Sequence, residues 1–161
     1  MLRYSRAMDH LLPLFGGYPL LFMTSLAASS LLPVGSEWLL VLMLARGSNP
    51  LMTVAAASAG NILGACTTYW VGRTGGEWLI RRFSVPPHRR ERAERLFNRY
   101  GSWVLLFSWL PLIGDPLCLV AGTMRLPAGL FVLLTGIGKV GRYAAVAMMT
   151  LKGVNLVESA A

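Results

Sequence analysis

Residues 11–36 and 47–72 contain no Asp, Glu, Lys or Arg. An uncharged apolar run of about 20 residues is long enough to cross a hydrocarbon core of ~30 Å. Two such runs in one short chain leave few folds open. The remaining composition points the same way: 55% of the 161 residues are hydrophobic and 14% charged, with a mean hydropathy of +0.55. A soluble domain carries about 25% charged residues. This argues against an ordinary soluble helical domain and predicts an all-α integral membrane protein with a single membrane domain.

The apolar runs are punctuated. "GGYP" (Gly16–Pro19) interrupts the first, so residues 1–19 form an N-terminal interfacial segment, and an apolar arm follows from Leu20 to Leu32. Pro33 and Gly35 break that arm, and a second arm runs over 36–45. Ten helical residues reach only about 15 Å, half a bilayer. "ARGSNP" (Ala45–Pro50) supplies turn residues, and 50–72 form one full-length helix.

The second half repeats this order. Residues 101–110 form an arm, "PLIGDP" breaks it at Pro111, Gly114 and Pro116, 116–125 return, and 128–151 form a full-length helix. Ser30, Pro33, Arg46, Gly60 and Asn61 match Ser108, Pro111, Arg125, Gly138 and Lys139 at spacings of 78 or 79, which requires one residue inserted in the break and later lost. The expected architecture is two inverted repeats (20–72 and 101–151), each a broken re-entrant hairpin followed by a transmembrane helix, with 73–100 between them and 152–161 as a tail. Broken helices meeting near the midplane are where irregular backbone and acids are tolerated, because there they line a protein-enclosed cavity.

Charge sets the orientation. Eight Arg and three Glu lie between Arg73 and Arg99. Such a basic inter-helix segment is expected to face the cytoplasm, with Arg73 at the cytoplasmic end of its helix. Within it "PPHRRERAERLFNRY" (Pro86–Tyr100) spaces Ala93, Leu96, Phe97 and Tyr100 for one helix face, suited either to anionic headgroups or to a solvated linker. The net charge of +8 does not point to nucleic acid, since the aromatics lie mostly in apolar segments. Cys66 and Cys118 lack metal or redox spacing and read as free thiols, and His10 and His88 are isolated. No metal site or cofactor is expected. "SLAAS" (Ser25–Ser29) resembles a signal-cleavage site, but cleavage there would remove half of the first broken hairpin.

Four ionisable residues fall inside the apolar segments: Glu37, Asp115, Lys139 and Arg142. Each costs roughly 2.5–3.5 kcal/mol at a helix centre. Lys139 and Arg142 share a helix face with Tyr143 beside them, and Asn61 stands at the position of Lys139 in the other repeat. One assignment is a polar pocket in which Lys139, Arg142, Asn61 and Tyr143 bind an anionic headgroup while Glu37 and Asp115, facing one another, carry a coupling proton. The other is a buried ion-pair network that fixes helix register. Gly60, Gly64 and the small residues from Ala55 predict close helix packing.

The pattern Gly60…Gly64…Tyr69-x-x-Gly72-Arg73-x-x-Gly76, the Pro-x-x-Ser-Glu turn at 33–37 and "AGTM" (Ala121–Met124) resemble the DedA family of VTT-domain proteins. The similarity covers roughly residues 20–150. It is greatest to the short YqaA-type bacterial members, through Ser36-Glu37, Gly114–Gly122 and Gly138–Tyr143. The resemblance implies multi-pass transporters of the bacterial inner membrane with opposed re-entrant hairpins, linked to proton-motive force. Some members translocate undecaprenyl phosphate, and eukaryotic relatives scramble phospholipids. One departure stands out: the family's second hairpin reads Arg-Phe-x-Pro-x-x-Arg, and here Ser108, Trp109, Pro111 and Gly114 occupy those positions.

These features predict a non-enzymatic, proton-linked flippase of an anionic lipid, such as a polyprenyl phosphate or phospholipid. The alternatives are a small-solute or ion permease and a non-transporting membrane scaffold. Membrane lipids are the expected partners, and two hairpins with two spans enclose little volume, which predicts a homodimer.

Overall fold

The computed structural model of the chain describes residues 16–29, 36–75, 87–110 and 113–160. These form six α-helices and one 3-10 helix, with no strand among the described residues. The expected interfacial segment before residue 16, and the breaks at Pro33, Gly35 and Pro111, lie outside them.

Helix α1 (Tyr18–Ala28) opens with Pro19 in its first turn, where a missing N–H removes no helical bond. Helix α2 (Glu37–Ala45) starts just after the first break. Helix α3 (Pro50–Thr74) is capped by the Asn49 side chain, which accepts from the amides of Leu51 and Met52 at 3.0 and 3.2 Å. After α4 (Pro87–Tyr100), Gly101 takes a positive φ of 61° and turns the chain sharply into a 3-10 helix, Gly101–Phe107. Helices α5 (Gly114–Thr123) and α6 (Ala128–Ala160) complete the fold.

Helix α3 and residues 128–154 of α6 are long and apolar enough to cross a membrane. Three boundaries differ from expectation. Residues 101–107 wind as a 3-10 helix, whose ~2.0 Å rise gives seven residues about the same reach as ten α-helical ones. Gly114 and Pro116 belong to the first turn of α5 rather than to the break, since proline is tolerated there. The last long helix continues through Ala160 instead of ending at 151.

The local geometry recurs at a constant spacing of 78 residues. Helix α3 starts at Pro50 and α6 at Ala128. Helices α2 and α5 end in the same hydrogen-bonded turn: Ser48 N–H donates to Met43 O and Gly47 N–H to Leu44 O, as Leu126 N–H does to Ala121 O and Arg125 N–H to Gly122 O. Gly47 and Arg125 both adopt positive φ, 80° and 53°. The match of Arg46 to Arg125 is therefore corrected to Gly47 with Arg125, and no inserted residue is needed.

Packing follows the same pattern. Helix α1 lies on α3, and the 3-10 helix lies on α6. Helix α2 crosses to α6, and α5 crosses to α3. Gly60 faces the Phe22 carbonyl of α1, and its counterpart Gly138 faces the Leu106 carbonyl of the 3-10 helix. Any side chain at either glycine would collide with backbone, so these close crossings require glycine.

One apolar cluster, including Leu21, Leu40, Leu44 and Ala57, joins α1, α2, α3 and α6. The other, including Tyr69, Val104, Leu117 and Phe131, joins α3 to α6 and takes in Ala93 and Phe97 of α4. The apolar face of α4 is thus spent mainly on protein, with Tyr100 left exposed and Leu96 partly buried against the same core.

Candidate functional site

The polar side chains converge on one turn of α6, Lys139 to Tyr143. Lys139 is 5% exposed although it lies in a membrane-crossing segment. Its Nζ donates to Ser29 Oγ at 3.0 Å and to Asn61 Oδ1. Asn61 Nδ2 in turn donates to Tyr143 Oη at 2.9 Å, and Tyr143 Oη shares a hydrogen bond of 2.7 Å with Ser36 Oγ. Ser36 precedes α2 without capping it through its side chain, because its hydroxyl is directed to Tyr143. Four elements are tied together this way: the end of α1, the start of α2, the middle of α3 and the middle of α6.

Arg142 extends the set. Its guanidinium forms an ion pair with Glu37 and donates to the Trp109 carbonyl at 2.9 Å. Both side chains of the pair are about one-quarter exposed (24% and 25%), so the pair is only partly withdrawn from its surroundings. Glu37 also occupies the first turn of α2, where the helix dipole favours an anion. Asp115 occupies the same place in α5. It is exposed, lies within Coulombic reach of Lys139, and makes no ion pair or hydrogen bond among the described residues.

Of the residues singled out in the sequence, Lys139, Asn61 and Tyr143 form one hydrogen-bonded set and Arg142 pairs with Glu37. The acids do not contact one another among the described residues: Glu37 meets Arg142, and Asp115 lies within Coulombic reach of Lys139. Arg73, in the last turn of α3, has a different task. It donates to Tyr69 Oη at 2.5 Å and to the Leu126 carbonyl at 3.2 Å, holding the turn between α5 and α6. Gly114 and Pro116 shape the start of α5 and contribute no polar side chain. Three participants carry no site role in the sequence reading: Ser29, the Trp109 carbonyl, and Ser36, which enters there only as part of the Pro-x-x-Ser-Glu turn. The two serines bracket the first break, and that adjacency was the available signal.

Cys66 and Cys118 are free thiols, and no group of three or more His, Cys, Asp or Glu suited to a metal occurs among the described residues. What the arrangement offers is a buried ammonium held by neutral oxygens, a guanidinium beside it, and an unpaired carboxylate within electrostatic range.

Two helices long and apolar enough to cross a membrane, with a polar cluster where they meet, give the chain the character of a membrane protein. The VTT domain model matches residues 32–151, and the chain belongs to this family, the DedA family. It is 41% identical over 134 residues to the inner membrane protein YqaA of Escherichia coli, covering 83% of this chain and 90% of that protein. An uncharacterized protein of Haemophilus influenzae is 36% identical over 141 residues, covering 81% and 85%. The Bacillus subtilis membrane protein YkoX is 27% identical over 127 residues, 75% of this chain and 55% of YkoX. No solved structure matches.

Proposed function

We propose that the protein is a proton-linked transporter of an anionic lipid, a polyprenyl phosphate or a phospholipid, in the bacterial inner membrane. The observation that carries this reading is Lys139: a lysine buried in an apolar helix, held by the neutral oxygens of Ser29 and Asn61. A cation serving only to fix helix register would be expected to face a carboxylate, as Arg142 faces Glu37. A cation kept on weak, neutral partners stays available for a phosphate. Asp115 is the second element, an acid without a fixed partner beside that cation. When an anion binds Lys139, the cation's support for ionised Asp115 weakens and protonation is favoured, which couples substrate to proton.

Opposed re-entrant hairpins are the topology we assign to the two broken arms. The exchange of partners between halves, with α2 on the second long helix and α5 on the first, supports an inverted repeat. In this reading the basic excess of the segment 74–99 assigns it to the cytoplasm. Single cysteines introduced by Arg90→Cys and Ser48→Cys, in a background with Cys66 and Cys118 replaced by Ser, should label from opposite sides of intact cells. Equal external labelling at both would reject the inversion. The lining groups perform no bond-making chemistry in this scheme, and a homodimer supplies the enclosure that one chain lacks.

Transport is tested in proteoliposomes with a panel of labelled lipids and an imposed pH gradient. Gradient-dependent movement of anionic but not zwitterionic lipid is the expected result. Movement of a small solute or ion without any lipid would favour a permease, and no movement of either would favour a scaffold.

A further inference from the structure

Asn61 and Lys139 stand 78 residues apart, the spacing that relates the two long helices and the turns before them, and they touch each other. When a two-fold axis relates two halves, the midpoint of any equivalent pair lies on that axis. A contact between equivalent residues therefore marks where the axis runs. Two further pairs of packings behave as a two-fold requires: α1 on α3 exchanges with the 3-10 helix on α6, and α2 on α6 exchanges with α5 on α3.

We propose that Asn61 and Lys139 form one two-residue cation site on the local two-fold axis, in which Asn61 is the positioning residue and the ammonium works from either long helix. This rests on the repeat reading above and deepens it: the two halves share one cation at the point where they meet.

Ser29 follows α1 as its C-cap and accepts from Lys139. At the spacing of 78 its equivalent is Phe107, which has no hydroxyl, so this acceptor belongs to the first half alone.

The test exchanges the two residues in the full chain. Asn61→Lys alone sets two ammonium groups against each other, and the purified variant in dodecyl maltoside should melt about 5–10 °C below the parent. Adding Lys139→Asn should recover at least half of that loss. Ser29→Ala should lower the melting temperature of the parent more than that of the exchanged protein, in which position 139 no longer carries the ammonium. Vesicles of phosphatidylethanolamine and phosphatidylglycerol carrying fluorescent phosphatidylglycerol give the functional arm. Lys139→Asn should slow its movement about tenfold or more, roughly the cost of one lost charged contact, and the exchanged protein should move it at a rate closer to the parent's than to that of Lys139→Asn.

An exchanged protein as unstable as Asn61→Lys, or one that depends on Ser29 as much as the parent does, overturns the proposal. So does a stable exchanged protein that moves lipid no faster than Lys139→Asn when the parent is active. If the parent itself moves no labelled lipid, the transport reading fails while the melting comparisons still decide the axis.

Discussion

The short helices α2 and α5 each carry an acid in the first turn and surround it differently. Glu37 and Asp115 each open a short helix, 78 residues apart. Around Glu37 the structure supplies Arg142 as an ion-pair partner and Tyr143 as a hydrogen-bond partner of the adjacent Ser36. The positions equivalent to Ser36, Arg142 and Tyr143 in the other half are Gly114, Gly64 and Ala65. The start of α5 therefore keeps the carboxylate without these partners. Glu37 is tied to α6, whereas Asp115 has no ion pair or hydrogen bond among the described residues and lies within Coulombic reach of Lys139.

Removing the central cation should have the largest effect on this asymmetry. Lys139→Met should abolish lipid transport while the protein remains in the membrane, since methionine fills the space and costs less to bury than a charge. Recovery of full transport by this variant would reduce Lys139 to a register device.

Cutting the tied break comes next. Glu37→Gln leaves Arg142 without its counter-charge, and the expected loss is about 2–3 kcal/mol of stability, below the value for a fully buried pair because both side chains keep some exposure. Asp115→Asn, with no ion pair to lose, should change the melting temperature by less than half as much. Equal destabilisation by the two variants would erase the distinction between the breaks.

Tyr143→Phe removes the hydroxyl that Asn61 and Ser36 share. Two buried partners are left open, for an expected cost of about 1–2 kcal/mol in thermal or denaturant unfolding. The corresponding change in the other half does not exist, because Ala65 has no hydroxyl to lose.

The smallest effects lie at the paired turns. Arg125 holds a positive φ of 53°, which glycine adopts without penalty. Arg125→Gly should stabilise by about 0.5–1 kcal/mol, whereas Gly47→Ala should destabilise by about 1 kcal/mol, each read from melting curves. The same sign for both would mean that the two turns are not equivalent.

Much of this was legible in the sequence because it rests on local rules. Proline and glycine mark the starts and breaks of α1, α2 and α3, and charge within an apolar run is enough to single out Glu37, Asp115, Lys139 and Arg142. Pairing was not legible, since it depends on which helices cross. Lys139 finds Ser29 and Asn61 only because α1, α3 and α6 come together, and no spacing rule links residue 139 to residue 29. The apolar face of α4 illustrates the same limit: its periodicity predicts a buried stripe, but whether lipid or protein buries Phe97 is decided by where the 3-10 helix and α5 lie.

The claim that Asp115 is the working acid and Glu37 the fixed one has a direct test. Transport of labelled anionic lipid is measured in proteoliposomes, with and without an imposed pH gradient, for Asp115→Asn and Glu37→Gln. The account predicts that Asp115→Asn retains downhill exchange and loses its response to the gradient, while Glu37→Gln, where folded, keeps that response. Full gradient-driven transport by Asp115→Asn would contradict it.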